Sequence, residues 1–220
     1  MEKKRALIIV DVQVDFLPGG ALAVPKANEI VPLINHLISL PFDHIVATRD
    51  FHPPKHYSFA SRWAKKAGER ITIEGVEQIL WPEHCVQGTK GSEFAPGLDV
   101  EHFDEVVYKG VNYQIDSYST FFDNFKLRTT GLEDFLRLQG VEELYFAGIA
   151  TDYCVFYSVI DAVELGFTPF VIVDACRGID LQPGDIQEAL KKMQAKGAEL
   201  VTSEQVEKSL TSHSTSKEHV

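Results

Sequence analysis

The sequence predicts a doubly wound α/β domain, a three-layer fold with a mostly parallel sheet of about six strands flanked by helices. Three observations carry this expectation. Apolar runs of strand length alternate with segments of helical spacing along the chain, the pattern of successive βα units. The first run, Ala6 to Val10, is apolar without alternation, as a strand covered on both faces would be. The chain has 220 residues, 45% hydrophobic and 24% charged, which suits one domain with a sizeable core.

Each element follows from local pattern. Residues 6–13 form the first strand and reach an acid, Asp11, near its end; Pro18-Gly19-Gly20 then turns the chain. Residues 28–40 have helical spacing, with Pro32 setting the start near Val31. Residues 44–50 form a second strand that ends in Asp50. Residues 51–96 are the least regular part, with an exposed helix expected around Arg62 to Ala67; a long connection of this kind is often functional. A third strand, 104–110, ends near Lys109. A helix follows at 131–138, then a buried strand at 143–147. The stretch Gly148-Ile149-Ala150-Thr151-Asp152-Tyr153-Cys154-Val155 leads into a helix to Leu165. There Gly148 is expected to make the tight exit, Thr151 or Asp152 to cap the helix, and Cys154 to sit in the first turn, where the dipole favours a thiolate. A strand at 168–174, a helix at 183–196, a short strand at 198–201 and a helix at 202–210 complete a single domain over 1–210. The polar tail, 211–220, is expected to be disordered.

Composition excludes several classes. A net charge of −11 disfavours a nucleic-acid partner. No apolar run approaches the ~20 residues of a membrane span, and the basic N-terminus leads into a strand rather than a signal sequence. Three cysteines, an odd number, argue against a disulfide framework and for a reducing cytoplasm. The absence of a C-x-x-C pair disfavours a redox thiol protein.

Two constellations carry chemistry. In a parallel sheet the C-terminal strand ends share one edge, so Asp11, Lys109 and Cys154 can converge. A carboxylate can then take the thiol proton and return it to a leaving amine, while the lysine orients the carboxylate and lowers the thiol pKa. On these residues alone, a structural Asp11–Lys109 ion pair beside a packed cysteine is an equal reading. The second constellation is Asp50 and His52, two apart at a strand end, with His56 and His84. A carboxylate with imidazoles suits Zn²⁺, with Mn²⁺ or Fe²⁺ as alternatives. Cys85 is expected to pack against this site rather than ligate.

The chain resembles the nicotinamidases (pyrazinamidases) of the isochorismatase-like cysteine hydrolase superfamily. The resemblance rests on residues 10–16 and 18–24, Asp50-Phe51-His52-Pro53, Ser58-Phe59-Ala60, Trp81-Pro82-Glu83-His84-Cys85-Val86, Asp116-Ser117-Tyr118-Ser119, residues 148–155 and Asp174-Ala175-Cys176-Arg177-Gly178. Phe51 and Val14 depart from the family, where Trp and Asn are frequent. The resemblance implies a catalytic triad of Asp11, Lys109 and Cys154, and one divalent ion held by Asp50, His52 and His84. Some members add a ligand at the position of His56 and others do not. It also implies a cis peptide at Ile149-Ala150 and an oxyanion hole of the Ala150 and Cys154 N–H groups. Phe16, Leu22, Trp81, Tyr118 and Ile149 would bind substrate.

The implied reaction deamidates nicotinamide, and pyrazinamide, through a cysteine thioester in NAD salvage, by a monomer or homo-oligomer. The implied binding mode sets the substrate's ring nitrogen on the metal. An isochorismatase or N-carbamoyl amidohydrolase would share the triad but lack the Asp-x-His and Trp-Pro-x-His pairings. A non-catalytic metal- or metabolite-binding module would leave Lys109 and Cys154 unexplained.

Overall fold

The computed structural model describes residues 3–214. Its elements in chain order are β1 (Lys4–Val10), α1 (Ile30–Ile38), β2 (His44–Asp50), β3 (Arg70–Ile73), β4 (Val76–Ile79), β5 (Glu105–Lys109), α2 (Leu132–Gln139), β6 (Val141–Ile149), α3 (Phe156–Glu164), β7 (Thr168–Arg177), α4 (Asp185–Lys196), β8 (Glu199–Val201) and α5 (Ser203–Ser214). Six strands form one sheet in the order β5-β2-β1-β6-β7-β8, and every pairing in it is parallel.

Successive residues of a strand face opposite sides, and here both sides are apolar. Leu7 and Ile9 of β1, with Tyr145, Ala147 and Ile149 of β6, join one core with Ile30, Ile34 and Leu37 of α1 and Val206 and Leu210 of α5. Ala6, Ile8 and Val10, with Leu144 and Phe146, join the opposite core with Leu132, Leu136, Val159 and Met193 of the other three helices. Two-sided burial explains why β1 reads as a continuous apolar run. After β5 the chain crosses to the far side of β1 to form β6, so the order of the sheet reverses between these central strands. A crevice opens at the C-terminal ends of strands at such a point.

Four expectations change. The irregular segment contains an antiparallel hairpin, β3–β4, closed by Glu74 and Gly75, both at positive φ as a two-residue hairpin turn requires. The helix expected around 62–67 is only a short 3-10 turn, Ala60–Trp63, ended by Ala64 in the left-handed region. The C-terminal helix runs past 210 to Ser214, with the Thr211 and Ser212 hydroxyls donating to the carbonyls of Glu207 and Lys208 one turn back. Residues 211–214 are therefore helical, and the rest of the expected tail, 215–220, lies outside the described residues. Finally, Gly148 is not a turn but part of β6. A Cβ there would lie 2.2 Å from the Val10 carbonyl oxygen, so the glycine permits close approach of the two central strands.

Among the described residues, no helix is long and apolar enough to cross a membrane.

Candidate active site

The sheet edge delivers the first group of side chains. Asp11 follows β1 with φ +49, and its Oδ1 accepts the Thr48 hydroxyl at 2.6 Å while its N–H donates back to Thr48 Oγ1 at 3.2 Å. Lys109 ends β5, where sheet register pairs it with Asp50 at the end of β2. Its ammonium is fully buried, lies 2.7 Å from Asp11 Oδ2, and donates to Asp50 Oδ1, to the Ser117 carbonyl at 3.0 Å and to Cys154 Sγ at 3.3 Å. Burial opposes charge on this lysine, but the Asp11 and Asp50 carboxylates outweigh it and hold its pKa well above the ordinary value.

Cys154 is reached differently from the sequence expectation. Thr151–Val155 form a π-helical turn ahead of α3, with no side-chain cap. The Ala150 carbonyl accepts the N–H groups of Tyr153 at 3.1 Å and Val155 at 3.0 Å. The Ile149–Ala150 peptide is cis. Asp152 caps nothing on its own helix; its carboxylate accepts the N–H groups of Ile179 and Asp180.

The thiol is also not a resting thiolate. Burial pushes its pKa well above the ordinary value, and the Asp11 and Asp50 charges add to this against the pull of Lys109. Burial likewise lifts Asp11, opposed by Lys109 and assisted by Asp50, to about 6. The arrangement therefore pairs a neutral thiol with a carboxylate of raised basicity within 4.8 Å of it, placed to take the proton as sulfur forms its bond rather than beforehand.

The second group surrounds Asp50. The His52 Nδ1–H donates to the Gly110 carbonyl at 3.0 Å and the His84 Nδ1–H to the Pro82 carbonyl at 2.8 Å. These bonds leave an Nε2 lone pair on each ring, and both Nε2 atoms lie 3.7 Å from Asp50 Oδ2. That is too long for a hydrogen bond, yet close to the separation of two ligands each about 2 Å from a shared ion. His52 Nε2 is buried without a hydrogen-bond partner. Burial opposes charge on His52, but Asp50, Asp116 and the Gly110 carbonyl raise its pKa, so the surroundings favour positive charge at this point. Burial raises Asp50 as well, but Lys109, His52 and His84 outweigh it and hold the carboxyl well below its usual range.

The donor atoms of Asp50, His52 and His84 all lie within 4.8 Å of one another. Two imidazoles and one carboxylate, each imidazole anchored through its other nitrogen, fit a divalent ion. The donors of His52, His56 and Asp116 are equally close together. However, His56 Nδ1 accepts the Ser58 N–H at 3.2 Å and its Nε2–H donates to the Asn112 carbonyl at 2.7 Å. Cys85 is buried, and its thiol points to the Gly91 carbonyl at 3.8 Å.

Both groups open into one narrow pocket. Phe16, Leu22, Trp81, Tyr118 and Ala150 line it together with Asp50, His84 and Cys154. Ile149, expected to touch substrate, instead lies fully buried in the core beneath the sheet edge, because its position in β6 turns the side chain inward. Three further lining residues, Asp116, Tyr153 and Ile179, were not assigned from sequence. Asp116 and Tyr153 stand inside recognised stretches beside assigned residues; Ile179 directly follows the recognised stretch that ends at Gly178. Tyr118 is fixed from behind, its hydroxyl receiving the Trp81 Nε1–H at 3.0 Å and the Gln78 amide at 3.2 Å. Larger grooves exist on the surface, one of them beside the β3–β4 hairpin, but its lining includes neither the thiol nor the ligand set.

Comparison with known proteins agrees with this geometry. Residues 5–205 match the isochorismatase domain model. The chain is 43% identical over 201 residues to the nicotinamidase of Escherichia coli K12, covering 90% of this chain and 94% of that one. A nicotinamidase–pyrazinamidase structure from Acinetobacter baumanii superposes with a TM-score of 0.89 at 41% identity, covering 94% of this chain and 99% of the other. A Pyrococcus horikoshii pyrazinamidase in complex with zinc superposes with a TM-score of 0.74 at 36% identity, covering 90% and 99%. The chain belongs to the isochorismatase family.

Proposed function

We propose that this protein is an amidohydrolase that converts nicotinamide to nicotinate and ammonia through a thioester on Cys154, and that it also accepts pyrazinamide. The observation that carries this reading is the buried Lys109 ammonium. It touches Asp11, Asp50 and Cys154 at once, and so joins a thiol–carboxylate pair to a ligand set at the floor of an aromatic pocket. The nicotinamidase relatives supply the substrate.

The chemistry follows from the proton positions. The flat pyridine ring lies between Phe16, Trp81 and Tyr118, which brings the carboxamide carbon to Cys154. As Sγ forms its bond to that carbon, the thiol proton passes to Asp11. Ala150 and Cys154 contribute their N–H groups to the developing oxyanion; one such donor is worth about 2.7–4 kcal/mol in comparable sites. Asp11 returns the proton to nitrogen as the C–N bond breaks, and ammonia leaves. A water then gives its proton to Asp11 and attacks the thioester. The C–S bond breaks, nicotinate is released, and Asp11 restores the proton to Cys154. Lys109 keeps its charge throughout and holds Asp11 and Asp50 in register with the thiol.

Asp50, His52 and His84 would hold the divalent ion, which we assign as Zn²⁺ from the donor set and from the zinc-bound relative. Such an ion supplies a Lewis-acidic contact for the substrate's ring nitrogen. Three free cysteines suit a cytoplasmic setting.

The test is stoichiometric release of ammonia and nicotinate from nicotinamide by the purified, metal-loaded protein. Failure with nicotinamide alongside turnover of an N-carbamoyl amine or of isochorismate would move the chain to another activity of the family.

A further inference from the structure

Asp152 lies two residues before the nucleophile, yet the reaction makes no use of it. Its carboxylate reaches across to the segment after β7, where Oδ1 accepts the Ile179 N–H at 2.9 Å and Oδ2 the Asp180 N–H at 2.7 Å. The segment is fixed on its other side as well. Asp180 adopts φ +55 and its own Oδ1 accepts the N–H groups of Gly184 at 3.0 Å and Ile186 at 3.3 Å, at the start of α4. Gly178 lets the chain pass closely: a Cβ there would fall 2.5 Å from Ile186 Cγ1 and 2.9 Å from Asp152 Oδ1. Held at these points, the backbone sets the Ile179 side chain in the wall of the amide pocket.

We propose that Ile179 is a specificity-determining residue that limits the size of the aromatic amide, and that Asp152 is the positioning residue that holds it in place. This rests on the amidohydrolase reading above. Phe16, Trp81, Tyr118 and Tyr153 give the pocket flat aromatic surfaces on which a planar ring can lie, and its branched aliphatic walls are Leu22 and Ile179. Ile179 is the one of these two whose backbone is held by a buried carboxylate. It is β-branched, so its rotamer freedom is small, and its backbone cannot retreat without breaking the bonds to Asp152. A single unsubstituted heteroaromatic ring is the class of amide such a wall admits. Ring-methylated and fused-ring carboxamides are the class it rejects.

The carboxylate is required because each oxygen takes one N–H. An asparagine presents only one acceptor oxygen and would set its own N–H₂ against the second donor.

The experiment compares kcat/KM for nicotinamide and for quinoline-3-carboxamide in the parent enzyme, Ile179→Val, Ile179→Ala and Asp152→Asn. Removing methylenes from an apolar pocket changes discrimination by about 10- to 200-fold. The ratio favouring the fused-ring amide is expected to rise about tenfold or more in Ile179→Ala and by less in Ile179→Val, chiefly through KM. Asp152→Asn is expected to move the ratio the same way, while Cys154 is alkylated by iodoacetamide at the parent rate. An unchanged ratio in Ile179→Ala overturns the specificity role. Loss of alkylation in Asp152→Asn without a change in ratio assigns Asp152 to the nucleophile turn and overturns its positioning role. A parent enzyme that releases no ammonia from nicotinamide counts against the functional reading instead, so the two failures are distinct.

Discussion

The thiol side and the ligand side of the pocket meet at Asp50, but they are built by different means. Asp11, Lys109 and Cys154 lie at or just beyond the ends of β1, β5 and β6, and parallel register sets their spacing: Val10 pairs with Gly148, and Asp50 with Lys109. His52 and His84 stand in irregular chain, where individual side chains hold the backbone. Gln13 accepts the Asp50 N–H at 2.8 Å and donates to the carbonyls of Asp50 and Ser92 at 2.8 and 2.9 Å. Asp15 accepts the Cys85 N–H at 2.8 Å beside His84, and the His52 N–H donates to the Cys85 carbonyl at 3.0 Å. The sheet makes the thiol side robust to single changes, since many ladder bonds support it. The ligand side depends on a few buried bonds, each of which leaves an unsatisfied group worth about 1–3 kcal/mol if broken.

The largest expected effect isolates the thiol side. Cys154→Ala removes the proposed nucleophile and should lower kcat by roughly 10⁴-fold or more, as loss of a nucleophile does elsewhere. It should leave the melting temperature and the metal content near those of the parent, because Cys154 is not among the donors around His52 and His84. Retained turnover would remove Cys154 from the chemistry. Next in size, His84→Ala should cost more metal affinity than the about 10- to 100-fold typical of an outer-shell loss, measured by metal content after dialysis. Alkylation of Cys154 should persist in that variant. If alkylation vanishes with the metal, the two sides are one cooperative unit and the comparison fails.

A smaller effect is expected with pH. Asp11 must be ionised to accept the thiol proton, and its pKa is raised by burial to about 6. The sign is therefore loss of kcat/KM as pH falls through 6, approaching tenfold per pH unit below it. A profile flat down to pH 4.5 would show that Asp11 is not the base.

The same contrast governs what was legible in the sequence. The six parallel strands could be read from apolar runs that end in Asp11, Asp50 and Lys109, and with them the convergence of Asp11, Lys109 and Cys154 on one edge, though not its meaning, because a strand's end is local information and the sheet does the rest. The π turn at Cys154 was not legible: its hydrogen bonds shift by one residue with no change in composition. Burial likewise reversed the expected direction of the thiol pKa, since proximity to Lys109 is a pairwise reading and desolvation a three-dimensional one. The hairpin turn at Glu74-Gly75 lacks the common Asn-Gly signal. Ile179 is held at the pocket in part by a bond to Asp152, 27 residues away, which the sequence around it does not announce.

His56 gives the finest test of where the ligand side ends. Its ring centroid lies 4.5 Å from that of His52, and distance alone would admit it as a ligand. Its protons argue otherwise. Nδ1 accepts the Ser58 N–H and Nε2–H is donated to the Asn112 carbonyl, so both nitrogens are occupied in the neutral tautomer. Burial, with repulsion from His52, holds its pKa down to about 4, so neutrality persists across the working range. A ligand would have to give up one of these bonds and expose a buried partner. His56→Gln should therefore lower stability by about 1–3 kcal/mol through the Ser58 and Asn112 groups it leaves unpaired, read by denaturant unfolding. Its metal stoichiometry should stay at that of the parent, with affinity changed less than tenfold. A collapse of affinity matching that of His84→Ala would place His56 among the ligands and extend the side-chain-held half of the site by one residue.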